Sequence, residues 1–102
     1  MAEYVRMFQS AVDPADVEEM RRLFNDDVRT LLGSRTGCLA IELLLNTEHN
    51  AGGLVEGCAI SRWSSLDDLR AGLDDHAVRD ALVRVRSLLR HEPITKTYEV
   101  LE

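Results

Sequence analysis

The stretch that most constrains this chain is Gly53 to Leu73, GLVEGCAISRWSSLDDLRAGL, where the hydrophobic period changes from that of a strand to that of a helix within a few residues. From Leu54 to Trp63, alternation places Leu54, Glu56, Cys58, Ile60 and Arg62 on one face and Val55, Gly57, Ala59, Ser61 and Trp63 on the other. The second face is built of small side chains, which leaves room above a sheet for a closely packed helix or for a ligand. The only tryptophan stands at the end of that track. Ser64 or Ser65 then caps a short helix, Asp67 or Asp68 supplies the first-turn acid, and Leu66, Leu69 and Leu73 follow at helical spacing.

The flanking sequence supplies five more elements. Tyr4 to Val12 has strand character, and Asp13-Pro14 ends it with a helix start, Asp13 as N-cap and Pro14 at the first helical position. Val17, Met20, Phe24, Val28 and Leu31 form one apolar stripe, with Glu18, Arg22, Asp26 and Arg29 on the wet side, and Gly33 or Gly37 closes the helix. Cys38 to Leu45 is a strand with Leu39, Ile41, Leu43 and Leu45 on one face and Cys38, Ala40, Glu42 and Leu44 on the other, so both faces expect cover. The polar segment Asn46 to Gly53 is a somewhat long hairpin loop. A second long helix is predicted from about His76 to Arg90, capped by Asp74 or Asp75, and Pro93 precedes a last strand over Ile94 to Leu101.

The order strand, helix, strand, strand, helix, strand is two similar halves. It predicts an α+β chain of the ferredoxin-like βαββαβ plan: a four-stranded antiparallel sheet with both long helices on one face. At 102 residues this is a single domain, 1–102, marginal in size unless it buries more surface by association. The bare sheet face is expected to pair with a second copy, giving a homodimer through that face.

Composition removes several alternatives. A formal charge of -6 argues against a nucleic-acid partner, and no apolar run is long enough to cross a bilayer, so no membrane partner is expected. The opening residues MAEYVRMFQS lack the order of a secretory signal, and a cytoplasmic location is the expectation. Cys38 and Cys58 fall inside strands and are expected as small buried hydrophobes rather than a disulfide; no metal-ligand spacing is present, and Glu48 with His49 is too few groups for a metal site. Lys96, the lone lysine, lies on a predicted strand and is a poor candidate for Schiff-base chemistry.

The strand AISRW running into SSLDDLRAGL, the helix DDHAVRDALVRVRSLL and the closing PITKTYEVLE together resemble the antibiotic biosynthesis monooxygenase (ABM) family of dimeric α/β barrels, over essentially the whole chain. The resemblance implies a homodimeric α+β barrel with one pocket per subunit between sheet and helices. For the best-known members it implies oxygen insertion into an electron-rich polyketide ring without a cofactor. The function expected is therefore a cofactor-independent monooxygenase acting on a small aromatic or polyketide-like substrate. The alternative is a non-catalytic small-molecule binder of the stress-responsive α/β-barrel kind, and a structural dimerisation module comes third.

Physically, an acidic carbon or phenol loses a proton, its carbanion passes an electron to dioxygen, and the protein supplies position, a hand for the anion and a dry cavity. The candidates are Trp63 as ring platform, His76 as acid or base, and Arg86 or Arg62 for the anion, although Arg62 falls on the face opposite Trp63. Gln9 and Tyr98 are candidate hydrogen-bonding walls, and Gly57, Ala59 and Ser61 the binding track. Each has a plainer reading: Trp63 as core filler, His76 as a solvated residue beside acids, Arg86 as a surface cation covering its own stem. Heme is disfavoured, because the first strand offers Gln9 where heme-degrading relatives carry asparagine, and Ala81, Leu82 and Val83 occupy the helix interior where they carry histidine.

Overall fold

In the computed structural model, which describes residues 2–101, the seven predicted elements form in the predicted order. β1 (Glu3–Val12) is followed by a 3-10 turn (Pro14–Asp16), α1 (Val17–Leu23), a π turn (Phe24–Val28) and α2 (Arg29–Gly33). Then come β2 (Cys38–His49), β3 (Val55–Trp63), α3 (Leu66–Asp74), α4 (His76–Arg86) and β4 (Ile94–Val100). The strands make one antiparallel sheet in the order β2-β3-β1-β4, and the helices cover one face of it. No helix among the described residues is long and apolar enough to cross a membrane.

The predicted caps form. Asp13 Oδ1 accepts from the Ala15 amide at 3.1 Å, Ser65 Oγ from the Asp68 amide at 3.1 Å, and Asp75 Oδ2 from the Val78 amide at 3.1 Å. Asp75 also accepts from Arg35 Nη1 at 2.9 Å, tying the α3–α4 junction to the segment before β2. The first helical run differs from a plain α-helix in its middle. Its most buried residues, Met20, Phe24, Val28 and Leu32, recur at every fourth position, and each step of four overshoots a 3.6-residue turn. The π turn, closed by the Arg29 amide on the Phe24 carbonyl, takes up that drift and keeps all four side chains on the core.

Three boundaries move for identifiable reasons. β2 runs on to His49 because Asn50 closes a tight turn: its side-chain oxygen accepts from the Gly52 and Leu54 amides at 2.9 and 3.0 Å, and Gly53 takes a positive φ of 79°. α4 stops at Arg86, short of Arg90, because Leu89 bridges to Val12 and the Arg90 amide donates to the Ala11 carbonyl at 3.0 Å. In β2 a bulge between Cys38 and Ala40 makes Leu39 the extra residue, so Leu39 leaves the Ile41, Leu43, Leu45 row and is 52% exposed, while Cys38 stands opposite Trp63.

Register fixes the faces. Opposite Val55, Gly57, Ala59, Ser61 and Trp63 stand Val12, Ser10, Phe8, Arg6 and Tyr4, all on the helix side. The other side carries Val5, Met7 and Gln9 of β1, Cys58 and Arg62 of β3, and Ile94 and Tyr98 of β4. Nothing among the described residues covers it: the molecule measures 41 × 30 × 19 Å, and 19 Å is one sheet plus one layer of helices. Leu44, Ile94 and Tyr98 are correspondingly 46%, 54% and 48% exposed.

Candidate active site

Between the sheet and the helices the small-residue track of β3 leaves a cavity of about 360 Å³, within the range of small-molecule sites. Its floor is Phe8 and Ser10 of β1 with Gly57, Ala59 and Ser61 of β3; Ile41, Leu43 and Leu45 of β2 form one wall. Met20, Phe24 and Val28 close it from above, so the π turn sits directly over it. Gly57 is part of the floor because a Cβ there would come within 3.2 Å of Leu45 Cδ2. The remaining side is the α4 face carrying Arg79, Leu82, Val83 and Arg86, with Arg6 of β1 and Thr95 of β4 across from it. Val83 is 65% exposed and Thr95 partly so, which marks the gap between α4 and β4 as the opening.

The charge of this lining is one-sided. Arg6, Arg79 and Arg86 line the cavity, and no Asp, Glu, His, Lys, Cys or Tyr among the described residues does. None of the three has a carboxylate partner among the described residues, whereas Arg21, Arg22, Arg35, Arg62, Arg84 and Arg90 each form an ion pair. Arg6 donates to Thr97 Oγ1 at 3.0 Å, and burial lowers its pKa below the usual arginine value. The guanidinium remains cationic across the working pH range all the same. No cluster of three or more His, Cys, Asp or Glu that could hold a metal ion occurs among the described residues.

Four of the sequence candidates meet here: Gly57, Ala59, Ser61 and Arg86. Trp63 does not face the cavity. It is 0% exposed, its Nε1 donates to Ser61 Oγ at 2.9 Å, and its six-membered ring packs on Gly72 of α3, so it is a core residue that orients a lining hydroxyl. His76 begins α4 with a 94% exposed side chain 3.4 Å from Asp80 and lies away from the cavity. Gln9 and Tyr98 project from the uncovered sheet face, opposite Cys58 and Val5, with the whole sheet between them and the cavity. Arg62 shares that face and pairs with Glu3 at 2.8 Å. Sequence reading passed over Arg6 and Arg79. The available signals were the parity Arg6 shares with Phe8, and the seven-residue spacing of Arg79 and Arg86 along one helix face.

The geometry defines a two-layer α+β protein whose sheet and helices enclose a ligand-sized apolar cavity with a cationic mouth. No family model and no curated protein sequence matches the chain. Solved structures do. A protein from Caulobacter crescentus CB15, provisionally described as an antibiotic biosynthesis monooxygenase, superposes with a TM-score of 0.80 at 17% identity, over 99% of this chain and 92% of that one. Rv0793 from Mycobacterium tuberculosis superposes with a TM-score of 0.75 at 17% identity, over 98% and 96%. An anthrone oxidase-like protein reaches 0.79 at 23% identity, with 99% of this chain spanning 45% of that one. Likeness at these identities establishes the fold, which is related to that of the ABM family.

Proposed function

We propose that this chain is a cofactor-independent monooxygenase acting on a small aromatic or polyketide-like substrate held between sheet and helices. The observation that carries the reading is a ring-sized apolar cavity whose charged lining groups, among the described residues, are all cations. The substrate ring lies on the flat Gly57–Ala59 floor under Phe24, with Ser61 presenting a hydroxyl already oriented by Trp63. Enolisation of an activated ring CH2 and ionisation of the enol, its proton leaving to solvent, give a carbanion, and one electron passes to dioxygen. The radical pair joins as a peroxide anion, which takes a proton from solvent and loses water to leave a ring carbonyl. One oxygen atom ends in the product and the other in water, so dioxygen is the only oxidant required. The guanidinium groups act where negative charge builds, on the enolate and then on the peroxide. Likeness in fold to an anthrone oxidase-like protein supports the choice of substrate class. We further propose that two copies pair through the uncovered sheet face to make the dimeric α+β barrel.

The test is oxygen uptake with a hydroxyanthrone. The wild-type protein should consume oxygen well above the uncatalysed rate and release the quinone, and Ala59→Trp, which fills the floor, should abolish the excess. No uptake above background by the wild type would refute the oxygenase. The absence of any side-chain base from the lining favours a second reading, a non-catalytic binder of the same class of molecule. Tight binding of the hydroxyanthrone without oxygen uptake would establish that one.

A further inference from the structure

We infer that the cavity takes its ligand as an organic anion: an acidic phenol or enol that ionises on itself, its oxygen held at the mouth by Arg6, Arg79 and Arg86. The inference deepens the oxygenase proposal by naming the substrate class, and it rests on the cavity being the substrate site.

Two observations meet in it. The first is where the unpaired cations are. Acids outnumber Lys and Arg 18 to 12 in this chain, and six of its eleven arginines pair with a carboxylate, leaving Arg6, Arg29, Arg70, Arg79 and Arg86 without one among the described residues. Three such arginines nevertheless line one cavity, Arg79 and Arg86 two helical turns apart on α4 and Arg6 on β1. Burial desolvates Arg6, while Arg79 and Arg86 stand exposed at the rim; an entering anion offsets the repulsion among like charges gathered at one opening. A guanidinium presents a planar fork of donors suited to a delocalised oxyanion.

The second is what the lining lacks. β2 and β3 contribute apolar, glycine and serine side chains, β4 contributes Thr95, and the helices over the cavity contribute Met20, Phe24, Val28 and Leu32. Apart from the three arginines, no charged or titratable side chain among the described residues lines the cavity. A neutral substrate with a weakly acidic proton would therefore find nothing to remove it. A phenol or enol needs no such group: the cations favour its ionised form, the proton leaves to solvent through the α4–β4 opening, and the anion remains in place to react.

The reporter is 2-naphthol, an unreactive two-ring phenol whose anion absorbs at longer wavelength. It is titrated against the wild-type protein, the Arg79→Gln/Arg86→Gln double variant and, as a control with the same type of change, Arg70→Gln on α3, outside the cavity. In wild type the naphtholate should bind at least tenfold more tightly than the naphthol, which shifts the bound phenol's titration about one pH unit downward. The double variant should lose most of that shift and still bind neutral naphthol, and Arg70→Gln should behave as wild type. Both changed positions on α4 are exposed, so the double variant should fold; far-UV circular dichroism checks it. An unshifted titration in wild type, a shift retained in the double variant, or no binding of either form would overturn the inference. Oxygen uptake is scored separately. A shift without oxygenation refutes the oxygenase and leaves the anion site standing; oxygenation without a shift does the reverse.

Discussion

Substituting Gly72 by alanine separates two effects of opposite sign. In an exposed helix the change is favourable by about 1 kcal/mol, because alanine loses less backbone entropy. Gly72, however, is buried near the end of α3, and a Cβ there would lie 2.5 Å from Trp63 Cη2 and 3.0 Å from Cζ3. The indole has nowhere to go: it is 0% exposed, and its far edge is held by the Ser61 hydroxyl at 2.9 Å. Overpacking of a rigid core costs about 1–3 kcal/mol, and a contact this short with a ring belongs in the upper half of that range. The net expectation for Gly72→Ala is a loss of about 1–2 kcal/mol, which for a domain of this size lowers Tm by roughly 5–15 °C. In a Trp63→Phe background the obstructing ring is absent, and the same substitution should be neutral or raise Tm. Thermal unfolding followed by far-UV circular dichroism on the four proteins of the cycle gives the coupling, about 2 kcal/mol. A higher Tm for Gly72→Ala in the wild-type background would refute the claim that Trp63 against Gly72 sets the α3–sheet distance.

Two further predictions concern the thiols and the uncovered face. Desolvation raises the pKa of both Cys38 and Cys58 above the usual thiol value, so the folded protein holds their protons where the unfolded chain has begun to release them. Their contribution to stability is therefore intact below about pH 8.5, the ordinary thiol pKa, and falls as pH rises above it. Alkylation by iodoacetamide at pH 8 should be several-fold slower in the native protein than in urea; equal rates would exclude protection of the thiolates. On the sheet face, Leu44→Glu should convert a dimer of about twice 11.5 kDa into monomers in sedimentation, without loss of secondary structure. A wild-type protein that sediments as a monomer at micromolar concentration would refute the pairing.

Much of the fold was legible because its signals are local. Asp13, Ser65 and Asp75 cap helices from positions where one oxygen can reach an amide two or three residues on, and such signals survive any tertiary arrangement. Period two along β3 likewise put Gly57, Ala59 and Ser61 on the cavity side. Features set between elements were hidden. The bulge at Leu39 depends on how β2 pairs with β3, and the π turn on how four side chains meet a sheet that the helix itself does not specify. Trp63 was misplaced for the same reason: alternation gave its face, but only the approach of Gly72 decides that α3 sits on the indole and leaves it no share of the cavity.

Gln9 and Tyr98 show a different failure, and its cause bears on what the protein does. In β1 the side turned to the helices alternates Tyr4, Phe8 and Val12 with Arg6 and Ser10, while the outward side carries Val5, Met7 and Gln9. In β4 the helix side carries Thr95, Thr97 and Glu99, while Ile94, Lys96, Tyr98 and Val100 face out. Judged by hydropathy alone, β4 is inside out and β1 carries apolar side chains on both faces. A monomer with a filled core would reverse β4, since burying Ile94 and Val100 would each gain about 1.5–3 kcal/mol and exposing its polar row would cost little. The inversion is consistent only if the two faces have different tasks. The polar row borders the cavity mouth, where Thr97 Oγ1 accepts from Arg6, and the apolar residues of the outer row have no cover among the described residues. The polar contact at the mouth and the apolar outer residues are thus two results of one alternation in β4. Shifting that strand by one residue would remove the Thr97 contact to Arg6 and the proposed pairing surface together.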